Sequence, residues 1–222
     1  MTKIDSFAFS VLENFATINT QVWINEGNVL ETVAPSKSIV ARATVDTVFP
    51  KTFGLYHLNR FIQALSLYNE PDVTFEDTRL VVSSGMRSTK FSYGDPVLFK
   101  PCRIPDKMTF PSSDIKASIS SVVIRDLEKA ARILGVEFFV IQGNGEVLTV
   151  SALDVEDPGS NYHRIQLGET DKKFKAVVKA SNMLLLPLDY EIEVIPHEDR
   201  PSLKFVSDRI QYLVALDESS EI

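Results

Sequence analysis

The chain has 222 residues, 44% of them hydrophobic, and a formal net charge of −7 from 23 basic and 30 acidic side chains. That length suits two domains of about 100 residues, each with its own core, and no apolar run reaches the roughly 18 residues of a membrane-spanning helix. A single cysteine, Cys102, excludes an internal disulfide and a cysteine metal cluster, and it fits a reducing compartment. The opening residues, Met-Thr-Lys-Ile-Asp-Ser, place an acid where a signal peptide would have its apolar stretch, so the protein is expected to stay where it is made.

In chain order the elements repeat, with the second copy displaced by roughly 120 residues. The first copy opens with an amphipathic helix over 6–17, a strand over 22–25, a tight turn at Glu26-Gly27-Asn28 and a strand over 29–33. Its counterparts are a helix over 124–134, a strand over 138–141, a turn at Gly143-Asn144-Gly145 and a strand over 146–150. Asn-Gly predicts a two-residue hairpin because both residues tolerate positive φ. Alternating strands follow over 39–46 and 162–168. Phe53-Gly54-Leu55-Tyr56 then leads into a helix over 58–68, where Leu58, Phe61, Ile62 and Leu65 have helical spacing. In the second copy Phe174-Lys175-Ala176-Val177 leads into a helix over 180–186. Three strands close each copy, over 73–76, 80–84 and 87–93, and over 190–195, 203–207 and 210–217.

Two such units make an α+β protein of two similar domains, each with helices on one face of antiparallel sheet. The domains are expected over 1–96 and 117–222, joined by a connector over 97–116. Pro96, Pro101, Pro105 and Pro111 remove backbone donors there, which predicts an extended segment outside either sheet. Val97, Leu98, Phe99, Ile104, Met108 and Phe110 are too apolar for a loose linker, so some are expected to tuck against the surface.

A net acidic chain lacks the general excess of lysine and arginine of ordinary nucleic-acid binders. The charge is uneven, however: residues 1–96 hold 8 basic and 10 acidic side chains, residues 97–116 hold 4 and 2, and residues 117–222 hold 11 and 18. On the helix over 124–134, Arg125, Lys129 and Arg132 fall within about 60° of one another, opposite Leu127, Ala130, Ala131 and Leu134. This face is either a cationic binding surface or an ordinary solvated one, with Asp126 and Glu128 pairing locally with the bases.

No catalytic signature accompanies it. The histidines His57, His163 and His197 are not at ligand spacing, and no phosphate-binding loop, nucleophile elbow or zinc-binding helix motif is present. His197-Glu198-Asp199 and the loop holding Asp154, Glu156 and Asp157 read as solvated turns. A small enzyme working through the second of these loops is the weakest of the open readings. The expectation is therefore a protein with no catalytic residues, no metal and no cofactor.

Asn14-Phe15-Ala16-Thr17-Ile18-Asn19, Leu58-Asn59 with Phe61 and Leu65-Ser66-Leu67, Arg87-Ser88-Thr89, and Tyr212-Leu213-Val214-Ala215-Leu216 occur in the same order in one family. Through them the chain resembles the sliding clamps of T-even-type bacteriophages along nearly its whole length. The resemblance implies the DNA-clamp fold, and a homotrimeric ring whose helices line a hole threaded by double-stranded DNA. It implies a processivity factor without chemistry of its own, in the cytoplasm of the infected bacterial host. The implied partners are the phage DNA polymerase, an ATP-dependent clamp loader and late-transcription factors.

On this resemblance the DNA-facing residues are Arg125, Lys129 and Arg132, with Arg60, Lys179 and Lys3 in support. The subunit interface is implied to pair the strand of Arg87, Thr89 and Phe91 with that of Arg164 and Gln166 in the next copy. A partner-peptide pocket is implied at Ile104, Met108, Phe110 and Leu216. The alternative reading is a β-rich viral structural or assembly protein that encloses no DNA.

Overall fold

The computed structural model describes residues 2–102, 104, 109–157, 159–197 and 200–222, with residues 100–102 described by their backbone alone. The chain divides into two compact units, Met1–Met108 and Thr109–Ile222.

The first unit opens with α1 (Ser6–Ile18), followed by β1 (Val22–Ile24), β2 (Gly27–Val33), β3 (Ile39–Phe49) and β4 (Phe53–Leu55). Then come α2 (Leu58–Ser66), β5 (Asp72–Phe75), β6 (Arg79–Ser84), β7 (Arg87–Ser92) and a 3-10 helix at Pro96–Cys102. Asp5 caps α1 by accepting the Ala8 N–H at 2.9 Å, and its other oxygen accepts from the backbone and hydroxyl of Thr47 on β3. Burial alone would raise this carboxyl; the bonds from Thr47 and Ala8 hold it below the usual range. The cap thus fixes the helix start to the sheet, and Val11, Leu12 and Phe15 on the inner face of α1 are fully buried.

The expected hairpin across Glu26-Gly27-Asn28 does not form. β1 pairs antiparallel with β4, with Trp23 opposite Gly54, while β2 pairs with β3. Gly27, at φ 115°, makes an irregularity in the β2–β3 register rather than a reversal. Asn28 donates to the Val45 carbonyl and the Glu26 N–H to the Thr52 hydroxyl, so the bend is held by β3 and the segment after it.

The stretch expected to run extended instead coils at Pro96–Cys102. Phe99 is fully buried, stacked on Tyr56 at 4.9 Å and tilted against Trp23 at 5.6 Å. Gly54 and Gly94 floor this seat, since a Cβ on either would run into the Phe99 ring. Ile104 is also buried, whereas Val97 and Leu98 stay exposed.

The second unit runs β8 (Lys116–Ile119), α3 (Ser121–Leu134), β9 (Phe138–Asn144), β10 (Val147–Leu153), β11 (His163–Glu169) and β12 (Lys173–Lys179). A 3-10 turn at Ala180–Asn182 leads to β13 (Tyr190–Ile195), β14 (Ser202–Val206) and β15 (Ile210–Ala215). One antiparallel sheet has the order β11-β10-β9-β12, and β8, β13, β14 and β15 pair in that order in another. The β9–β10 hairpin forms, but through the longer loop 144–147 between Gly143 and Leu148. Asn144 accepts from the N–H groups of Glu146 and Val147, and Gly145 takes φ 93°.

The helix expected over 180–186 is reduced to that single 3-10 turn. The Leu186 N–H donates to the Tyr212 hydroxyl and the Leu186 carbonyl accepts from Tyr190, so neither is available to a helix. Pro187 also disfavours helical geometry at the residue before it. Burial pushes both tyrosine hydroxyls up, which keeps on Tyr190 the proton it donates in this clasp.

Lys116, the last residue of the expected connector, lies within β8 opposite Glu193 of β13. Glu193 is 4% exposed and sits opposite Lys204 of β14, whose Nζ lies 3.5 Å away. Its other oxygen accepts the Ser113 N–H at 3.0 Å, tying the chain just before β8 to the sheet. Burial would raise the carboxyl, but bonds from Ser112 and Ser113, with Lys204 and Lys116, hold it below its ordinary value near 4.5. A depressed carboxyl stabilises the fold above the unfolded value, and that contribution is lost as pH falls through the folded one. Glu193→Gln is expected to cost about 2 kcal/mol at neutral pH by stranding Lys204. Urea unfolding across pH should show a shallower acid decline for the variant than for the parent; parallel curves would exclude this role.

Candidate nucleic-acid interface

Ser120 caps α3 through the Val123 N–H, and Gly135, at φ 69°, ends it by donating to the Ala131 carbonyl. Between these caps Ile124, Leu127 and Ala131 are buried. The opposite side exposes Arg125, Lys129 and Arg132, which helical spacing brings to one face. Among the described residues none of the three has a carboxylate within ion-pair distance. The local pairing with Asp126 and Glu128 considered from sequence is therefore not formed, and the three cations are open to an external anion. Glu128 is half-buried; burial raises its carboxyl, and Arg132 and Arg125 draw it only part of the way back. The exposed face also holds Val122 and Ile133, 55% and 71% exposed.

The other basic residues are placed differently. Arg60 is exposed on α2. Lys3 lies before α1 and pairs with Glu70 at 3.1 Å, both well exposed. Lys179 is exposed at the end of β12, not on a helix as expected, because the helix it was to open does not form. The exposed residues of α1 are Ser6, Glu13 and Thr17, so that helix offers no cation.

The two strands named for self-association both lie at sheet edges, β7 in the order β5-β6-β7 and β11 beside β10. The opposite edges of these sheets are covered. Thr2 exchanges two backbone bonds with Val73 of β5, at 2.8 and 2.9 Å. Along β12, Glu221 exchanges bonds with Lys175, the Asp217 N–H donates to Val177, and the Val177 N–H donates to the Ser220 hydroxyl. Among the described residues, β7 and β11 are the uncovered edges of the three-stranded and four-stranded sheets.

Several side chains on β7 are engaged within their own unit. Thr89 bonds the Tyr68 hydroxyl at 2.7 Å, Arg87 lies over the Tyr68 ring, and Phe91 meets Phe61 edge-on. On β11 Arg164 donates to Ser151 at 3.1 Å and lies over Tyr162, while Gln166 is exposed. What these strands leave open is backbone as much as side chain.

For the pocket residues, Ile104 is buried in the first unit, Phe110 and Leu216 are half-buried in the second, and Met108 lies outside the described residues. The Leu216 N–H bonds the Pro201 carbonyl at 3.0 Å. Beside that bond the second unit has a cavity of about 330 Å³ lined by Pro196, His197, Pro201, Asp217, Glu218 and Ile222. Its lining was not read from sequence; the only signal was the pair of prolines bracketing the turn before β14. Of the acidic cluster His197-Glu198-Asp199, Glu198 and Asp199 lie outside the described residues. No three metal-ligating side chains converge among the described residues.

Along almost its whole length the chain is similar to proteins named sliding clamp. It is 24% identical to that of Vibrio phage KVP40, with 97% of this chain and 99% of that protein covered. To that of Enterobacteria phage T4 it is also 24% identical, with 98% of each covered. No family model matches the chain. Among solved structures, A. fulgidus PCNA bound to the C-terminal region of FEN-1 matches with a TM-score of 0.68 at 12% identity, each chain covered in full. The Helicobacter pylori beta clamp bound to a DNA ligase peptide gives 0.69 at 11% identity, over 97% of this chain and 65% of that one. These findings bear out the resemblance to T-even-type phage clamps and the α+β clamp fold. They agree also with the reading of a chain that carries no catalysis.

The Ser220 hydroxyl is the partner of an edge amide, so Ser220→Ala is expected to speed hydrogen exchange at Val177 about fivefold, the equivalent of one bond near 1 kcal/mol. Unchanged protection would mean that the tail does not hold this edge in solution.

Proposed function

We propose that this protein is a sliding clamp: copies of the chain close into a ring around duplex DNA and hold a phage replicative polymerase to its template. The observation that carries the reading is the face of α3, where Arg125, Lys129 and Arg132 are exposed with no ion-pair partner among the described residues. In a chain of net charge −7, cations set aside in this way mark the surface meant for an anion. Lysine and arginine attract the phosphate backbone without reading bases. A protein that must move along DNA is served by such contacts, since enclosure keeps it on the duplex and tight gripping would stop it. Lys179 adds a cation in the same unit, and Arg60 on α2 offers one in the first unit; Lys3, already facing Glu70, adds less.

Ring closure follows from edge chemistry. An uncovered strand is a template for another chain, and joining two different edges head to tail gives a closed ring when the rotation fits. β7 of one copy meeting β11 of the next, with Arg87, Thr89 and Phe91 near Arg164 and Gln166, gives the homotrimer. The cavity beside Pro201, with Leu216 at its margin, is the seat for partner peptides. Support comes from the A. fulgidus and H. pylori relatives, both bound to segments of other proteins. Its users here are the polymerase, an ATP-dependent loader and late-transcription factors, in the cytoplasm of the infected bacterium. The protein performs no chemistry itself.

Retention on closed circular DNA, lost when the circle is cut, is the expected outcome. Sedimentation equilibrium is expected to give the mass of three subunits. Reversing Arg125, Lys129 and Arg132 to Glu should abolish processive synthesis while leaving that mass intact. A monomer at high concentration, or retention that survives linearisation, would overturn the reading.

A further inference from the structure

Glu128 follows Arg125 by three residues and precedes Arg132 by four, the spacings that make helix side chains neighbours. At 100° per residue it lies about 60° from Arg125 and about 40° from Arg132, at the root of the cationic face. Asp126 is turned the other way, toward the side of Val122 and Ile133. The two arginines are exposed while Glu128 is half-buried, and no ion pair joins them. Both guanidiniums nonetheless act on its carboxyl, pulling against the burial that raises it. The acid is thus held close enough to be felt and too far in to neutralise either base by contact.

Resting on the clamp reading, we propose that Glu128 sets the strength with which α3 holds DNA: a fixed counter-charge that keeps Arg125 and Arg132 from gripping phosphates. A phosphate brought to either guanidinium meets the repulsion of this carboxylate behind it. One such unit-charge interaction across about 7 Å of water corresponds to roughly threefold in affinity. The repulsion lowers the depth of every phosphate site by the same amount, so it flattens the path along the duplex without favouring any sequence. An ion-paired glutamate would instead remove the arginine from use, and an acid-free face would bind more tightly at each step. The residue is a positioning and tuning group; the arginines remain the contacts.

The test compares the parent with Glu128→Gln, which keeps the size of the side chain and removes its charge. Binding to a short labelled duplex is followed by fluorescence anisotropy over a range of salt. The variant is expected to bind about threefold tighter at low salt, with the gain fading as salt screens the interaction. Once on circular DNA it should diffuse more slowly. Glu128→Asp, which keeps the charge, should behave like the parent, and a thermal melt of each variant reports whether the fold is intact. Equal affinity and equal salt dependence for the parent and Glu128→Gln, while the triple reversal of Arg125, Lys129 and Arg132 still abolishes duplex binding, would overturn this role and leave the clamp reading standing. Duplex binding that survives the triple reversal would remove both.

Discussion

Every strand at the end of a sheet leaves a row of N–H and C=O groups that must find water or a partner. In the three-stranded and four-stranded sheets of this chain, that requirement is met unequally. Thr2 closes the outer side of β5 by backbone bonds, and residues 217–221 close the outer side of β12 by backbone bonds and the Ser220 hydroxyl. β7 and β11 receive no such cover among the described residues. Among the described residues these two sheets thus keep one uncovered edge each, and the proposed head-to-tail ring needs two different edges of this kind.

Charge is distributed by a similar economy. Several basic side chains outside α3 already have an occupation: Arg42 bonds Glu31, Lys51 lies over Tyr93 and near Asp77, Lys116 and Lys204 share Glu193, and Lys3 faces Glu70. The three on α3 do not. Exposed pairs contribute little to stability, so leaving these three without a contact ion pair costs the fold little and leaves their donors open to an outside anion. The buried pair Glu193–Lys204 does the opposite work, fastening the start of β8 to the sheet.

The two copies differ where side chains intervene in the backbone's own bonding. Tyr190 and Tyr212 take both backbone groups of Leu186, and what is a helix in the first unit becomes a single 3-10 turn in the second. Gly27 and Gly145 occupy corresponding turns at similar φ, yet only the second closes a hairpin. Asn144 folds that turn on itself, whereas Asn28 reaches across to β3.

By itself the sequence determined the repeat, the strands that close each copy, the three amphipathic helices α1, α2 and α3, and the placing of Arg125, Lys129 and Arg132 on one side of α3. All of these rest on local periodicity, which a strand or helix expresses whatever it packs against. The two-domain α+β class was legible for that reason, and the clamp fold through the resemblance of particular segments. Tertiary structure alone decided which strands pair, as β1 with β4; which edges of the three-stranded and four-stranded sheets stay uncovered; and that Phe99 coils the connector onto its glycine seat. Each of these depends on groups far apart in the chain meeting in space. A Thr2, a Ser220 or a Tyr212 carries no mark in the sequence of the distant backbone group it will bond.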